Sequence, residues 1–364
     1  MSGQHVVYGF LRPFTRWMRP EHELAILHYE SEKPPAEITA QGVSTICLPD
    51  NLKHWAKRTL WEATKLPQVV LQQKADLVLT VSGAITPNCP VPQVTLCQNP
   101  WCYVPSAHQN WKERFKARLQ RSGYARAFRD SAMMIYISGH LRDLYRRGNP
   151  GIQETRSEIA YVGLNEDTYR AARDLEGAPR DPLSILSVSA MAPWKGAETL
   201  VKAVAVLRQR KVPATLKLVG PWPNVSHEQE IRQLIQALAM QDAVSVLGRV
   251  SNEELHRLYG TSQVFSLMSS CESFGIPAAE AMAFGTPVVS TDCCAIAEVC
   301  EPAGQFGPVG DPEWTAKALE TALTDQKQWQ HWSEQARLRA ATLTWDNCAR
   351  AFQKIPELIE KREA

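Results

Sequence analysis

Cys271 to Asp292 reads CESFGIPAAEAMAFGTPVVSTD. The apolar run before it, QVFSLMSS, and the run TPVVST inside its end read as buried parallel strands. Between them Pro277 suits the first turn of a helix, where a missing N–H costs nothing. Gly285 suits the position just past the helix end, where a left-handed backbone is common. The segment is therefore strand, loop, helix, strand. The helix start offers free backbone N–H groups to a phosphate. Glu272 falls in the loop at the carboxyl end of a strand, where open α/β sheets bind ligands. Glu280 falls one helical turn inside, within reach of a molecule lying across the helix start. The shape is that of a nucleotide site.

The same alternation runs through the second half. Strands are expected at 183–190, 215–220, 244–248, 264–269 and 287–291, with helical patterns between them. Ser251 reads as a helix cap, with Glu254 placed for a capping box. Such βαβ repetition implies a doubly wound parallel sheet, one Rossmann-like domain over 181–340. The first half, 1–175, is noisier but similar, with strands expected at 23–29, 44–49, 76–82, 92–98, 133–138 and 157–163. Ser138 is expected to cap the helix that follows the fifth of these. The polar Asp174–Pro182 segment, DLEGAPRDP, reads as the interdomain linker, and Asn165-Glu166-Asp167 as a turn. The tail, 341–364, reads as helical.

Length and composition agree. A chain of 364 residues suggests two domains, and 44% hydrophobic with 21% charged residues is ordinary for a globular protein. The net charge of +2 gives no case for nucleic acid. The start, MSGQHVVYGF, lacks the pattern of a signal peptide, and no apolar run is long enough to span a bilayer. Nine cysteines are scattered, odd in number and without a CxxC pair, which fits a reducing cytoplasm and mostly small buried residues. Cys293 and Cys294 are adjacent, an awkward arrangement for a disulfide or a zinc site.

Glu272, seven residues and Glu280, with Phe-Gly-Ile-Pro inside and Glu-Ala-Met-Ala-Phe-Gly-Thr-Pro-Val-Val following, strongly resembles the family 4 retaining glycosyltransferases. The resemblance implies the GT-B fold, two Rossmann-like domains facing a cleft, with the tail helix packing back on the N-terminal domain. It gives Glu272 a place by the donor sugar and Glu280 the ribose hydroxyls, a match for a carboxylate that accepts two charge-assisted hydrogen bonds. Ser273, Phe274, Gly275 and Ile276 become donor-binding, the last two through backbone N–H groups. In SVSAMAPWKGAETL, Lys195 becomes the ligand of the donor diphosphate, with Gly196 beside it. Where the family commonly has an arginine this chain has Ala190, so one expected cation is absent. Gly248 and Arg249 resemble the base-contacting loop.

On the acceptor side the resemblance points to Gln98 and Asn99, without the histidine often found nearby, and to Gly3. The family's opening strand has no counterpart here. The chain starts at what looks like a loop end, Ser2-Gly3-Gln4, followed by a helical pattern that Pro13 would kink or delay. The segment 111–129 carries seven Lys/Arg among Trp111, Phe115, Tyr124 and Phe128, a basic amphipathic pattern suited to a membrane surface or an anionic acceptor. The expected activity is transfer of a hexose from a UDP- or GDP-sugar to an acceptor hydroxyl, with retention, for polysaccharide or glycolipid synthesis. The acceptor is a glycan or a lipid-linked sugar, and neither metal nor other cofactor is expected. Two alternatives stay open: a non-catalytic sugar-nucleotide binder, and an epimerase or phosphorylase on the same scaffold.

Overall fold

The computed structural model describes residues 3–17, 22–108 and 110–363. These divide into two compact units. One comprises Met1–Tyr103, Lys112–Gly163 and Thr344–Ala364, the other Val104–Trp111 and Leu164–Leu343.

The first unit contains β1 (Ala25–Tyr29), β2 (Ser44–Leu48), β3 (Val78–Thr80), β4 (Gln93–Cys97), β5 (Met133–Tyr136) and β6 (Ser157–Ile159). All pairings are parallel, but the single sheet expected from the sequence is two sheets. β1 pairs with β2, from Ala25↔Ser44 to Tyr29↔Leu48, while β3-β4-β5-β6 form the other. The split has a plain cause: among the described residues no strand bridges β1 and β3. The segment before β1 is instead the helix Gly3–Trp17, which runs through Pro13 without ending there. Its loop end expected at Gly3 and Gln4 is helical, and Ser2 lies outside the described residues.

Ser138 caps its helix as expected, accepting from the Leu141 amide at 3.1 Å. The tail belongs to this unit: Phe352 stacks on Phe10 with ring centroids 3.9 Å apart, and Arg156 pairs with Glu357 at 2.8 Å.

The second unit is one six-stranded parallel sheet. Its strands are β7 (Asp181–Val188), β8 (Thr215–Val219), β9 (Val244–Gly248), β10 (Ser262–Leu267), β11 (Val288–Thr291) and β12 (Gly304–Gly307), in the order β12-β11-β10-β7-β8-β9. The chain thus winds outward from β7 in one direction, then returns to β10 on its other side. Helices Ala197–Gln209, Val225–Ala237 and Pro312–Thr324 supply one core layer, where Leu200, Val204, Ile231 and Leu319 meet Ile185, Leu216 and Val264 of the strands. Tyr259, Phe265 and Phe284 form a second cluster, with Tyr259 stacked on Phe284 at 5.7 Å.

Three sequence expectations need correction here. The DLEGAPRDP linker lies inside the second unit, between the helix Glu166–Asp174 and β7. Arg180 explains why: its guanidinium donates to the Ser262 and Phe284 carbonyls at 2.5 and 2.6 Å and to Thr286 Oγ1 at 2.8 Å, and it lies over the Trp329 ring. The boundary falls at Gly163/Leu164 instead. Asn165-Glu166-Asp167 is likewise no free turn, since it starts the helix Glu166–Asp174. Finally, Ser251 caps its helix, but Glu254 pairs with Arg257 at 2.6 Å instead of closing a capping box.

Candidate functional site

In a parallel sheet all carboxyl ends share one edge, and neighbouring loops part where the strand order reverses. Here that point lies between β7 and β10. The loops that leave these two strands carry the first two site residues expected from sequence.

The β7 loop descends through Ala190 to a short turn, Pro193–Lys195, and reverses at Gly196. Gly196 has φ +74°, and a Cβ there would lie 2.2 Å from the Met268 carbonyl oxygen. Only glycine lets this loop press against the end of β10. The contact is stitched on either side, since Ser270 N and Ser269 Oγ both donate to Trp194 O, at 2.9 and 3.2 Å. This brings Lys195 Nζ into an ion pair with Glu272 Oε1. Both side chains are largely withdrawn from solvent, 17% and 12% exposed. Outside water such a pair is held by Coulomb attraction against a desolvation cost of several kcal/mol per ion. A ligand bringing its own charge and hydroxyls can therefore replace each partner.

The β10 loop continues through Ser273 and Phe274 to Gly275, at φ +88°, where a Cβ would meet Ile296 Cγ1 at 2.6 Å. The helix Ile276–Ala283 follows, with Pro277 in its first turn. Glu280 sits on this helix and accepts a hydrogen bond from the Tyr259 hydroxyl at 2.9 Å. Burial pushes its carboxyl up to about 7, with the Tyr259 hydrogen bond acting the other way. Gly285 ends the helix at φ +68°, packed under the Arg337 guanidinium.

Sequence reasoning missed several parts of this edge. Tyr259 is one. Gly220 at the end of β8 is another: at φ +129°, a Cβ there would lie 1.9 Å from Ser189 O. Met191 N donates to Pro221 O at 2.9 Å, so the β8 loop lies beside the Lys195 loop. Trp222 Nε1 and His227 Nε2 of that region are buried without a partner among the described residues. The run Pro-Trp-Pro-Asn between strand and helix was the available signal.

Residues 169–339 match the family model described as glycosyl transferases group 1. This part of the chain is a group 1 glycosyl transferase domain. D-inositol 3-phosphate glycosyltransferase of Corynebacterium glutamicum (strain R) is 31% identical over 199 residues, covering 52% of this chain and 46% of that protein. The MMP alpha-(1->4)-mannosyltransferase of Mycolicibacterium hassiacum is 33% identical over 198 residues, 53% and 46%. The chain thus spans about half the length of the curated relatives it matches. Among solved structures, Anabaena HepE, crystallised with UDP and glucose, superposes with a TM-score of 0.70 at 16% identity, over 98% of this chain and 96% of that one. That likeness establishes the fold, the GT-B fold expected from the sequence.

Elsewhere in the glycosyl transferase domain, Gly248 ends edge strand β9 at φ +67° with open space where a Cβ would go, and Arg249 beside it is exposed. Both lie on the same sheet edge as Lys195, but two strands from β7. The acceptor-side residues belong to the first unit. Gln98 Nε2 donates to Val81 O at 3.1 Å, Asn99 Oδ1 accepts from Trp101 N at 2.9 Å, and Gly3 is the first residue of its helix. The helix Trp111–Asp130 exposes Trp111, Phe115 and Leu119 at four-residue intervals, hence along one stripe. Lys112, Arg114, Lys116 and Arg118 are exposed between them. Among the described residues no helix is long and apolar enough to cross a membrane.

Proposed function

We propose that the chain is a retaining glycosyltransferase of family 4, moving a hexose from a UDP- or GDP-sugar to an acceptor hydroxyl. The observation that carries this reading is the Lys195–Glu272 pair at the switch point of the glycosyl transferase domain, with Glu280 one turn into the next helix. The names of the curated relatives, a glycosyltransferase and a mannosyltransferase, support the reaction class. HepE's complex with UDP and glucose supports the donor class.

In this reading the donor diphosphate takes Lys195 from Glu272, and the freed carboxylate accepts from sugar hydroxyls. Glu280 accepts from the ribose. The Gly275 and Ile276 N–H groups and the helix start face the diphosphate. As the bond from the anomeric carbon to the phosphate oxygen breaks, the acceptor oxygen bonds to that carbon on the same face. Its proton passes to the departing phosphate. The protein's work is positioning and stabilisation of diphosphate charge, which calls for no metal. The exposed apolar and basic stripe of Trp111–Asp130 supports work at the cytoplasmic surface of a membrane, on a glycan or lipid-linked acceptor in polysaccharide or glycolipid synthesis.

Ala190 favours a second reading, a binder without turnover, because one cation is missing from the diphosphate side. Kinetics separate the two. Glu272→Gln should lower kcat at least 100-fold, and Glu280→Ala should mainly raise the donor KM. Nucleotide binding without hydrolysis or transfer across an acceptor panel would favour the binder. Unchanged binding and kinetics in both variants would refute the site itself.

A further inference from the structure

The loop that leaves β8, Pro221-Trp222-Pro223-Asn224, lies between the Lys195 loop and the end of β9. Met191 N donates to Pro221 O at 2.9 Å on one side, and Gly220 N donates to Gly248 O at 2.7 Å on the other. The loop leads into the 13-residue helix Val225–Ala237, whose start therefore sits on the same carboxyl edge as Lys195 and Glu272. Of the first amides of that helix, His227 N goes to Asn224 Oδ1 and Glu228 N to Asn224 O, at 3.1 Å each. Those of Val225 and Ser226 have no intrahelical carbonyl to take, and both residues are exposed.

Two side chains at this helix start lack a hydrogen-bond partner. His227 is only 7% exposed, and its ring lies 5.7 Å from the half-buried Trp222 ring, at 46° to it. His227 Nδ1 faces the Glu230 carboxylate at 3.5 Å. His227 Nε2 and Trp222 Nε1 are buried with no partner among the described residues. An indole N–H can only donate, and a buried donor without an acceptor is costly. The imidazole can present a second donor at Nε2. Two ring donors and the open end of a helix together suit an anion with several acceptor oxygens.

We infer that Trp222 and His227 are phosphate-binding residues of the donor site. Trp222 Nε1–H and His227 Nε2–H, with the Val225 and Ser226 amides, take oxygens of the donor diphosphate that Lys195 meets from the neighbouring loop. The inference rests on the donor-site reading above. It supplies donors on the stretch of edge where Ala190 brings none, since the Pro221 carbonyl is bonded to the residue next to Ala190. Both nitrogens lie under the loop surface, so binding draws the Trp222 ring outward, and meeting two stranded donors offsets the cost of that shift.

The test titrates the full chain with UDP, GDP, inorganic pyrophosphate and uridine. Trp222→Phe keeps the ring and removes its N–H; His227→Leu keeps most of the volume and removes both nitrogens. Each should weaken UDP, GDP and pyrophosphate by about tenfold. Uridine, which has no phosphate, should bind each variant as it binds the native chain. His227→Gln, which restores a side-chain N–H, should recover most of the lost affinity. Thermal melts confirm that each variant folds, and Trp222→Phe, the gentlest change, decides the matter if His227→Leu does not. Native affinity for pyrophosphate in Trp222→Phe and His227→Leu overturns the inference: water alone then meets these nitrogens. An equal loss for uridine and UDP also overturns it, because the residues then shape the loop or meet the base. If the native chain binds pyrophosphate through Trp222 and His227 but neither UDP nor GDP, the donor-site reading fails and the phosphate site stands alone. Binding of none of the four overturns both.

Discussion

In the second unit six parallel strands share one sheet, and β7 at its centre is buried from Ser184 to Val188. In the first unit six parallel strands make two sheets, and neither β1 nor β2 has a single buried residue. Parallel strands are normally covered on both faces, and a lone pair of strands is marginal. The difference lies in what occupies the centre. β7 brings helices onto both faces and sets the point where the strand order reverses, so the Lys195 and Glu272 loops are forced into contact. Among the described residues β1 and β3 have no strand between them and no such point exists there. Chemistry that needs two loops held within hydrogen-bond reach therefore has its scaffold in the second unit.

The largest test of that contrast is charge removal. Lys195→Met would leave the mostly buried Glu272 carboxyl without its partner, a loss of about 3–5 kcal/mol. The pair Lys53–Glu32 of the first unit has a similar separation class, 2.9 Å, but is 36% and 37% exposed. Lys53→Met should leave stability nearly unchanged, because water already solvates and screens that pair. Urea unfolding of the two variants checks this. Equal losses would mean that the Lys195 site is far more hydrated than its burial indicates.

Glycine supplies the next test. Gly196 and Gly42 both sit at positive φ, +74° and +81°. A Cβ at Gly196 would strike the Met268 carbonyl, whereas nothing lies within 4 Å of one at Gly42. Gly196→Ala should cost about 2–4 kcal/mol and loosen nucleotide binding, because backbone strain and overpacking add. Gly42→Ala should cost about 1 kcal/mol of strain alone. If both variants lose the same amount, the weld between the β7 and β10 loops is not rigid.

These sites show what sequence pattern can carry. The strand–loop–helix–strand run around Glu272 was legible because Pro277, Gly285 and two apolar runs mark it locally. The ion pair with Lys195 was not, since it joins residues brought together only by strand order. β12, Gly304–Gly307, reads GQFG and looks like a turn; its first glycine is needed because a Cβ would lie 1.7 Å from Val288 O. Arg180 likewise hid in a Gly/Pro-containing stretch that resembles a linker, and only its three hydrogen bonds to distant partners reveal an anchor. In the first unit the strands themselves were legible, but their division into two sheets is a property of what is not between them.

Glu280 offers a smaller effect of opposite sign. Its folded carboxyl titrates at about 7 against 4.5 for the free group, so the folded chain holds this proton more tightly than the unfolded one. Stability then falls as pH rises from about 4.5 to 7 and stays lower above that, by up to about 3 kcal/mol. Glu280→Gln keeps an acceptor for the Tyr259 hydroxyl and has no charge to bury. It should be the more stable protein above pH 7, by about 2–3 kcal/mol, and match the native chain below pH 4.5. The same variant should bind nucleotide less well, because the ribose loses a charged acceptor. Thermal melts from pH 4 to 8, with and without UDP and GDP, read both at once. A variant less stable than the native chain at pH 8 would refute the buried-carboxylate account.

Helix caps give the smallest effect and the most even comparison. Ser138 in the first unit and Ser251 in the second each accept one backbone N–H at 3.1 Å, from Leu141 and Glu254. The hydrogen bonds have the same length, but Ser138 is buried and Ser251 exposed. Removing a buried acceptor strands its donor without water, whereas solvent replaces the exposed one. Ser138→Ala should therefore cost about 1–2 kcal/mol and Ser251→Ala about 0.5–1. That ordering runs against the other comparisons, with the first unit suffering more. If Ser251→Ala proved the costlier, cap strength would follow the cooperativity of the surrounding sheet, and the continuous sheet of the second unit would govern even its surface helices.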